Sequence, residues 1–331
     1  MKSKLIIILL LFLQSSALTQ ESDAYAIWKE KLVVHGGLSY RTAPFSIKYN
    51  LPNDVNRLKY KANMNALLNL GFAYKWAALK IGLQLPGYIR NTANFGETSY
   101  FDLNLEFGVK SWYFDIELHT MKGFALVNSE NINPSLVSPN SEHLLKPEAN
   151  SSSLSVSAWK FFNKAYQVKP AIGVVGRYKK RLISAYLKST LNVHGVGNNT
   201  ALMPYSFIDT INTIARATGF SALDFGAVPG FAFVDNKKGW QYGAWFGLGA
   251  VVQAKFWSAN NVARGFLGLA PRIDLKLKGG YNVDDYFVMF LAEFDNKSIR
   301  FNDLSYRQIY YQLGITGGYR FAVKEKAKRT K

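Results

Sequence analysis

The densest polar chemistry in the chain lies between residues 100 and 120. Asp102, Asn104 and Glu106 alternate with Phe101, Leu103, Leu105 and Phe107, and Asp115, Glu117 and His119 alternate with Phe114, Ile116 and Leu118. A tight turn at Lys110–Ser111 folds the two runs into a hairpin and sets all six polar side chains on one face, within cross-strand reach. Four carboxylates and an imidazole so placed could bind a cation or exchange protons. The structural alternative is expected instead: these groups pair with lysines and arginines of the same interior, with Lys59, Lys61, Lys75, Arg272 and Lys276 at parity-compatible places.

Other catalytic chemistry is sparse. The four histidines are His35, His119, His143 and His194. A lipid-modifying enzyme would need one of them beside a serine, with an orienting Asn or Asp. Ser39 and Ser99 are available, but their spacing supports neither, so no catalytic residue is assigned. Histidine pairs at helical spacing and phosphate-cradling glycine loops are absent from the sequence. No metal and no cofactor is expected. The absence of Cys excludes disulfide scaffolds, thiolate metal sites and thiol nucleophiles. A formal charge of +18 suggests an anionic partner. The basic residues are scattered, however, and the chain reads as exported, so nucleic acid is not expected.

The elements that must position these residues are strands. From Trp240 to Phe256 every even position is apolar, while the odd positions are mostly small or polar. The same period of two runs through Ala66–Trp76, Tyr100–Val109, Leu267–Leu277 and Tyr311–Phe321. A soluble sandwich or barrel would turn the apolar face inward, whereas a membrane barrel turns it toward lipid. Three features favour the membrane. The strands run to about ten residues or more, enough for a tilted crossing. Their polar face is rich in Gly and charge. Trp76, Trp112, Trp159, Trp240 and Trp257 fall near strand ends, where an interfacial aromatic belt would lie.

Met1 to Thr19 has two lysines, an unbroken apolar run from Leu5 to Leu13 and a short polar end, the form of a secretory signal. Cleavage is expected after Thr19, with Ala17 as the alternative, and would lower the formal charge to +16 by removing Lys2 and Lys4. The domain organisation is then a signal peptide over 1–19, a barrel over 20–323 and a basic tail over 324–331. An exported chain without Cys reads as bacterial. Gly318, Tyr319 and Phe321 have the alternation of a closing strand read by outer-membrane assembly machinery. Pro170, Pro229 and Pro271 fall on apolar faces and should each mark a bulge, a kink or a gap. Such a break could also be a lateral opening toward the bilayer. Thr210, in Asp209–Thr210–Ile211, is a candidate O-glycan acceptor.

Candidate strands begin near 32, 64, 77, 99, 112, 152, 168, 182, 221, 240, 264, 284 and 308. That odd total conflicts with the even number of strands in bacterial barrels, so about 12 or 14 are expected. The suspect regions are Phe45–Tyr60, which could hide a strand, and 152–193. Short links near Trp76–Leu79 and Lys110–Trp112 read as periplasmic turns. Pro86–Ser99, Phe124–Ser152 and His194–Phe220 read as extracellular loops, and their placement leaves the topology of 152–220 open.

The order of several short motifs is familiar. Tyr74–Lys75–Trp76, then Leu83–Gln84–Leu85–Pro86, Tyr178–Lys179–Lys180, Gly280–Tyr281–Asn282 with Asp284 and Tyr286–Phe287, and Gly318–Tyr319–Arg320–Phe321 occur in sequence. Over residues 30–323 the chain resembles an uncharacterised family of Bacteroidota outer-membrane β-barrels, a domain-of-unknown-function family. It departs from the family's small-residue pattern between Tyr178 and Tyr186. The resemblance implies an all-β transmembrane antiparallel barrel in the bacterial outer membrane. It implies no activity and transfers no catalytic residue.

The functional expectation is a small-solute channel or a hydrophobic-molecule transporter with a charged lumen. The alternatives are a structural or docking barrel with a blocked lumen, and a lipid-modifying outer-membrane enzyme. Expected partners are outer-membrane lipid and lipopolysaccharide, the assembly machinery, and a small hydrophobic or polar solute.

Overall fold

The computed structural model describes residues 24–49, 57–75, 77–109, 112–204, 213–259 and 262–323. The signal segment, the basic tail and Thr210 lie outside these residues. In chain order the strands are β1 (Tyr25–Ile27), β2 (Lys31–Thr42), β3 (Phe45–Lys48), β4 (Leu58–Lys61), β5 (Leu67–Tyr74), β6 (Ala77–Gln84), β7 (Ser99–Val109) and β8 (Trp112–Leu126). They continue with β9 (Leu144–Phe161), β10 (Gly176–Tyr178), β11 (Leu182–Gly197), β12 (Gly219–Lys237), β13 (Trp240–Ala259), β14 (Val262–Asn282), β15 (Tyr286–Arg300) and β16 (Ser305–Ala322). Three short helices, α1 (Thr92–Phe95), α2 (Ser129–Ile132) and α3 (Val168–Ile172), lie in the connections.

Twelve of these strands form the wall, each antiparallel to the next: β2, β5, β6, β7, β8, β9, β11, β12, β13, β14, β15 and β16. The ring closes where β16 pairs with β2, from Tyr311 opposite Thr42 to Ala322 opposite Lys31. Closure removes the free edges that an open sheet would expose.

The odd strand count resolves at residue 168. The segment there is not a wall strand: Val168–Ile172 is helix α3, ended by Gly173 at φ 83°, and β10 pairs only with β1, inside the ring. Pro170 therefore sits in a first helical turn, where its missing N–H costs nothing, and not in a strand. Phe45–Tyr60 does hide strands, but they are not wall members. β3 and β4 bridge β16 to β8 at one end of the barrel only. The expected loops also shorten, because β9 begins at Leu144 and β11 continues to Gly197. With twelve strands, the connections 85–98, 127–143 and 198–218 fall at one end and both ends of the wall at the other. In barrels of this type the long loops are extracellular and the short turns periplasmic.

The outer surface follows the alternation. Val34, Leu70, Phe72, Phe225, Phe231, Phe246, Leu248, Phe290 and Leu313 all point outward and are about half exposed or more. No soluble chain leaves such a continuous apolar belt in water. At the short-turn end Trp112, Trp240, Tyr242, Tyr286, Tyr319 and Phe321 form an exposed aromatic girdle. Trp159 and Trp257, expected in that girdle, have the opposite parity and are buried inside the barrel. At Pro229 the β12–β13 ladder is interrupted between Ala227–Ala250 and Gly230–Gly247.

Inside, two apolar caps bracket a polar middle. At the extracellular end Phe45, Tyr60, Phe124, Phe220 and Tyr306 pack together, with Phe45 stacked on Tyr60 at 4.5 Å, and Leu202 and Met203 fold in from the 198–204 segment. At the periplasmic end Tyr25, Tyr166, Ile172 and Tyr178 pack on wall residues Trp159, Phe161, Tyr186 and Trp245.

A closed ladder of this kind resists detergent until heated. Unboiled protein should migrate differently from boiled protein on a denaturing gel, and identical mobility would contradict the closed ring.

Candidate functional site

The polar middle is built from the lumen-facing parity of the strands. The β7–β8 register sets Asp102 opposite His119, Asn104 opposite Glu117, and Glu106 opposite Asp115, as the hairpin pattern requires. Asn104 Nδ2 donates to Asp115 Oδ1 at 2.8 Å and to Glu117 Oε1 at 3.4 Å. Arg41, from β2, ties Asp102 and His119 of this cluster to Glu293 of β15. Its Nη1 donates to Asp102 Oδ2 at 2.9 Å and approaches His119 Nδ1 at 2.9 Å, while Nη2 reaches Glu293 Oε2 at 3.4 Å. An arginine always donates, so His119 Nδ1 accepts, and the Nε2–H is left to donate to Glu117 Oε2 at 3.3 Å. Gly82 stands opposite Asp102 on β6, and any side chain there would overlap the Asp102 carboxylate.

Two further sets of ion pairs complete the belt. Lys188 pairs with Asp274, and Lys276 with Glu293, both at 2.6 Å. Asp224, fully buried on β12, accepts from His194 Nε2 at 3.0 Å, from Gln253 Nε2 at 2.7 Å and from Arg272. Asn192 Nδ2 and Lys297 Nζ both donate to Ser153 beside them. Between these groups lies a cavity of about 90 Å³. It is faced by the cations Arg41, Lys188, Arg272, Lys276 and Lys297 and by the carboxylates Asp115, Glu117, Asp274, Glu293 and Asp295. Charge is balanced, and the space suits a few waters rather than a drug-sized molecule. Among the described residues no group of three or more His, Asp or Glu side chains is placed to hold a metal ion.

The six sequence-predicted polar residues thus share the lumen face; Asp102, Asn104, Asp115, Glu117 and His119 are joined by ion pairs and hydrogen bonds, and Glu106 stands opposite Asp115. Of the expected basic partners, Arg272 and Lys276 are in the belt, although they serve Asp224 and Glu293. Lys59 and Lys61 point outward from β4. Lys75 lies in the β5–β6 turn. Ser39 accepts from Asn69 and Ser99 faces outward, so neither forms the serine–histidine pair that hydrolysis would need. Arg41, Glu293 and the His194–Asp224 pair were missed. Each has lumen parity in sequence, but period-two alternation does not say which inward groups meet: His194 and Asp224 sit on the paired strands β11 and β12, Glu293 stands opposite Lys276, and of these only Arg41 reaches strands that are not its neighbours.

The periplasmic cap is a separate segment, 162–181, seated in the mouth. Gln241 Nε2 donates to the carbonyls of Pro170 (2.7 Å) and Ala171 (3.1 Å), and its Oε1 accepts from Tyr178 N at 2.9 Å. Arg320 Nε donates to Val174 O at 2.8 Å, and Nη2 donates to Gly173 O and to Asn282 Oδ1 at 2.7 Å each. Its guanidinium also lies 4.5 Å from the Trp28 ring. Burial holds the Lys169 amine of α3 down at about 8, against an upward pull from Glu106, and nearby Lys29 adds a smaller lowering. In the closing strand Gly318 makes room for Phe287, whose Cζ would stand 2.5 Å from a Cβ there, while Tyr319 and Phe321 face lipid.

The family model described as "Domain of unknown function (DUF4421)" matches residues 25–321. No curated protein is similar to the chain at the level of sequence. Among solved structures, the outer membrane protease OmpT from Escherichia coli is 6% identical with a TM-score of 0.42, over 92% of this chain and 100% of that one. The translocator domain of the autotransporter NalP from Neisseria meningitidis is 6% identical with a TM-score of 0.37, over 97% and 95%. The toluene transporter TodX from P. putida is 7% identical with a TM-score of 0.28, over 90% and 91%. No property of these proteins is carried to this chain.

Replacing Arg41 by Met leaves Asp102 buried without its cation. That change should cost about 3–5 kcal/mol of barrel stability. Chemical unfolding should show it, and the double variant Arg41→Met/Asp102→Asn should recover part of the loss.

Proposed function

Since the chain belongs to the DUF4421 family, whose name carries no activity, we propose its function from the barrel itself: it is an outer-membrane transporter of a small solute, closed in the state described here. The observation that supports this is the construction of the periplasmic cap. The cavity is shut on that side by a discrete segment, and side-chain hydrogen bonds from Gln241 and Arg320 hold it there. Such a segment can leave without breaking the wall ladder. The cavity volume favours a small solute. The secretory signal, a Bacteroidota origin, and contacts with lipid, lipopolysaccharide and the assembly machinery belong to this reading.

The extracellular apolar cap favours a second reading, a docking barrel that never conducts. It is built on wall strands and on β3–β4, which is hydrogen-bonded to β16 and β8, with Leu202 and Met203 packed in from the 198–204 segment.

Reconstituted into planar bilayers, the full chain should show rare openings. Gln241→Ala/Arg320→Met should raise the open fraction severalfold. A variant that folds, by its heat-dependent migration, and still never conducts would decide for the docking reading. Gating should also depend on pH. The seated plug lowers the Lys169 pKa from 10.5 to about 8. Seating is therefore disfavoured while the amine is charged and gains as pH rises between these values. Openings should become rarer across that window, and Lys169→Met should flatten the response.

A further inference from the structure

The wall is not paired throughout. The β14–β15 ladder runs from Asn282 opposite Phe287 to Asp274 opposite Asp295 and stops there. Above it β15 continues to Arg300, paired on its other side with β16, and β14 continues to Val262, paired on its other side with β13. Continuing the register would join Ile273–Leu269 with Asn296–Arg300, but those two edges stand apart. The missing ladder is patched by side chains. Asn296 Oδ1 accepts from Ile273 N at 2.7 Å, and Arg272 Nη1 donates to Asn296 O at 2.7 Å. Gln253 Nε2 donates to Ser298 O at 2.9 Å, and Lys255 Nζ donates to Arg300 O. Gln253 and Lys255 belong to β13, so they reach behind β14 to satisfy the edge of β15. Phe266 meets Phe301 edge-on at 5.7 Å at the outer end of the slot.

Pro271 lies in the middle of this stretch and has no N–H to offer a ladder. On the β13 side the ladder runs on through Pro271, and the unpaired side is the one facing β15. The two walls of the slot differ in chemistry. On β14, Leu267 and Leu269 are 80% and 76% exposed, the two most exposed large apolar side chains among the described residues. On the β15–β16 side the outward positions change from Phe294 to Ser298 and Arg300, with Arg307 on the neighbouring strand opposite Ser298. Asp303 is the acid of that hairpin's turn. The slot thus lies where the apolar belt ends, with an apolar wall on one side and a basic rim on the other.

We propose that the β14–β15 slot is a lateral binding site for an anionic, acyl-chained lipid of the surrounding leaflet. Its chain lies along Leu267, Leu269 and Pro271, and its phosphate meets Arg300 and Arg307. The highly exposed Leu267 and Leu269 side chains are covered by an acyl chain at no cost in hydrogen bonds, whereas a polar partner laid on them would leave its own donors and acceptors unpaired. The basic rim chooses an anionic head over a zwitterionic one. The site stands on the wall alone and does not depend on whether the periplasmic plug opens.

The test uses the full chain in phosphatidylcholine vesicles carrying a trace of diazirine-tailed phosphatidylglycerol or, in the other arm, diazirine-tailed phosphatidylcholine. Photoadducts are mapped by mass spectrometry. Phosphatidylglycerol adducts should concentrate on 267–273 and 296–300 over the rest of the belt. Arg300→Ser and Arg307→Ser, both exposed and outside the lumen network, should each lower that enrichment about fivefold. Adducts spread evenly around the barrel would overturn the site. Equal enrichment by the two lipids, unchanged by the arginine variants, would overturn its anionic character. Conductance recorded on the same vesicles reports separately on the transport reading.

Discussion

Everything in this protein follows from one constraint: in hydrocarbon, each backbone N–H and C=O must find a partner within the protein. Twelve strands meet it by closing, with β16 laid against β2 over twelve residue pairs. Closure commits each strand to one lipid face and one lumen face, and this parity sorts Phe246 from Trp245 and Leu103 from Asp102. The places where the ladder fails are correspondingly informative. Pro229 costs β12–β13 a short interruption, while the longer gap above Asp274 is patched by Asn296, Arg272, Gln253 and Lys255.

The lumen solves a second problem created by the first. Residues facing inward are shielded from bulk water yet carry many charges, and an unpaired buried charge is costly. The protein answers with ion pairs between lumen-facing side chains, some on neighbouring strands and some on strands further round the ring. Arg41 serves Asp102 and Glu293 together, and Asp224 serves His194 and Arg272. The formal charge of +18 is therefore no sign of an anionic polymer as partner. Each ion pair uses one basic and one acidic group, so the excess of 40 basic over 22 acidic residues is carried elsewhere, scattered over rims and turns such as Lys237–Lys238. Apolar caps at each end enclose the charged belt, so the resting lumen is a packed interior and not a pore.

The strand pattern was legible because period-two alternation is a local property. It located the β7–β8 hairpin and its register, and it placed all six of the hairpin's polar residues on one face. The segment from 162 to 181 was misread for the same reason. Its residues are apolar enough for a wall strand, and only Pro170 and Gly173, a helix turn and its left-handed end, mark it as something that folds into the mouth. Trp159 and Trp257 were misplaced because closeness to a strand end was weighed above parity, which sends both indoors.

The sequence by itself determined a closed β-architecture, its membrane-facing side and the gathering of Asp102, Asn104, Glu106, Asp115, Glu117 and His119, since alternation and hairpin spacing act between neighbours in the chain. Only the tertiary structure decided that Arg41 pairs with Asp102 and that 162–181 closes the mouth. Each of these joins residues far apart in sequence, where the partner is chosen by the curvature and register of the closed ring and by nothing within reach along the chain.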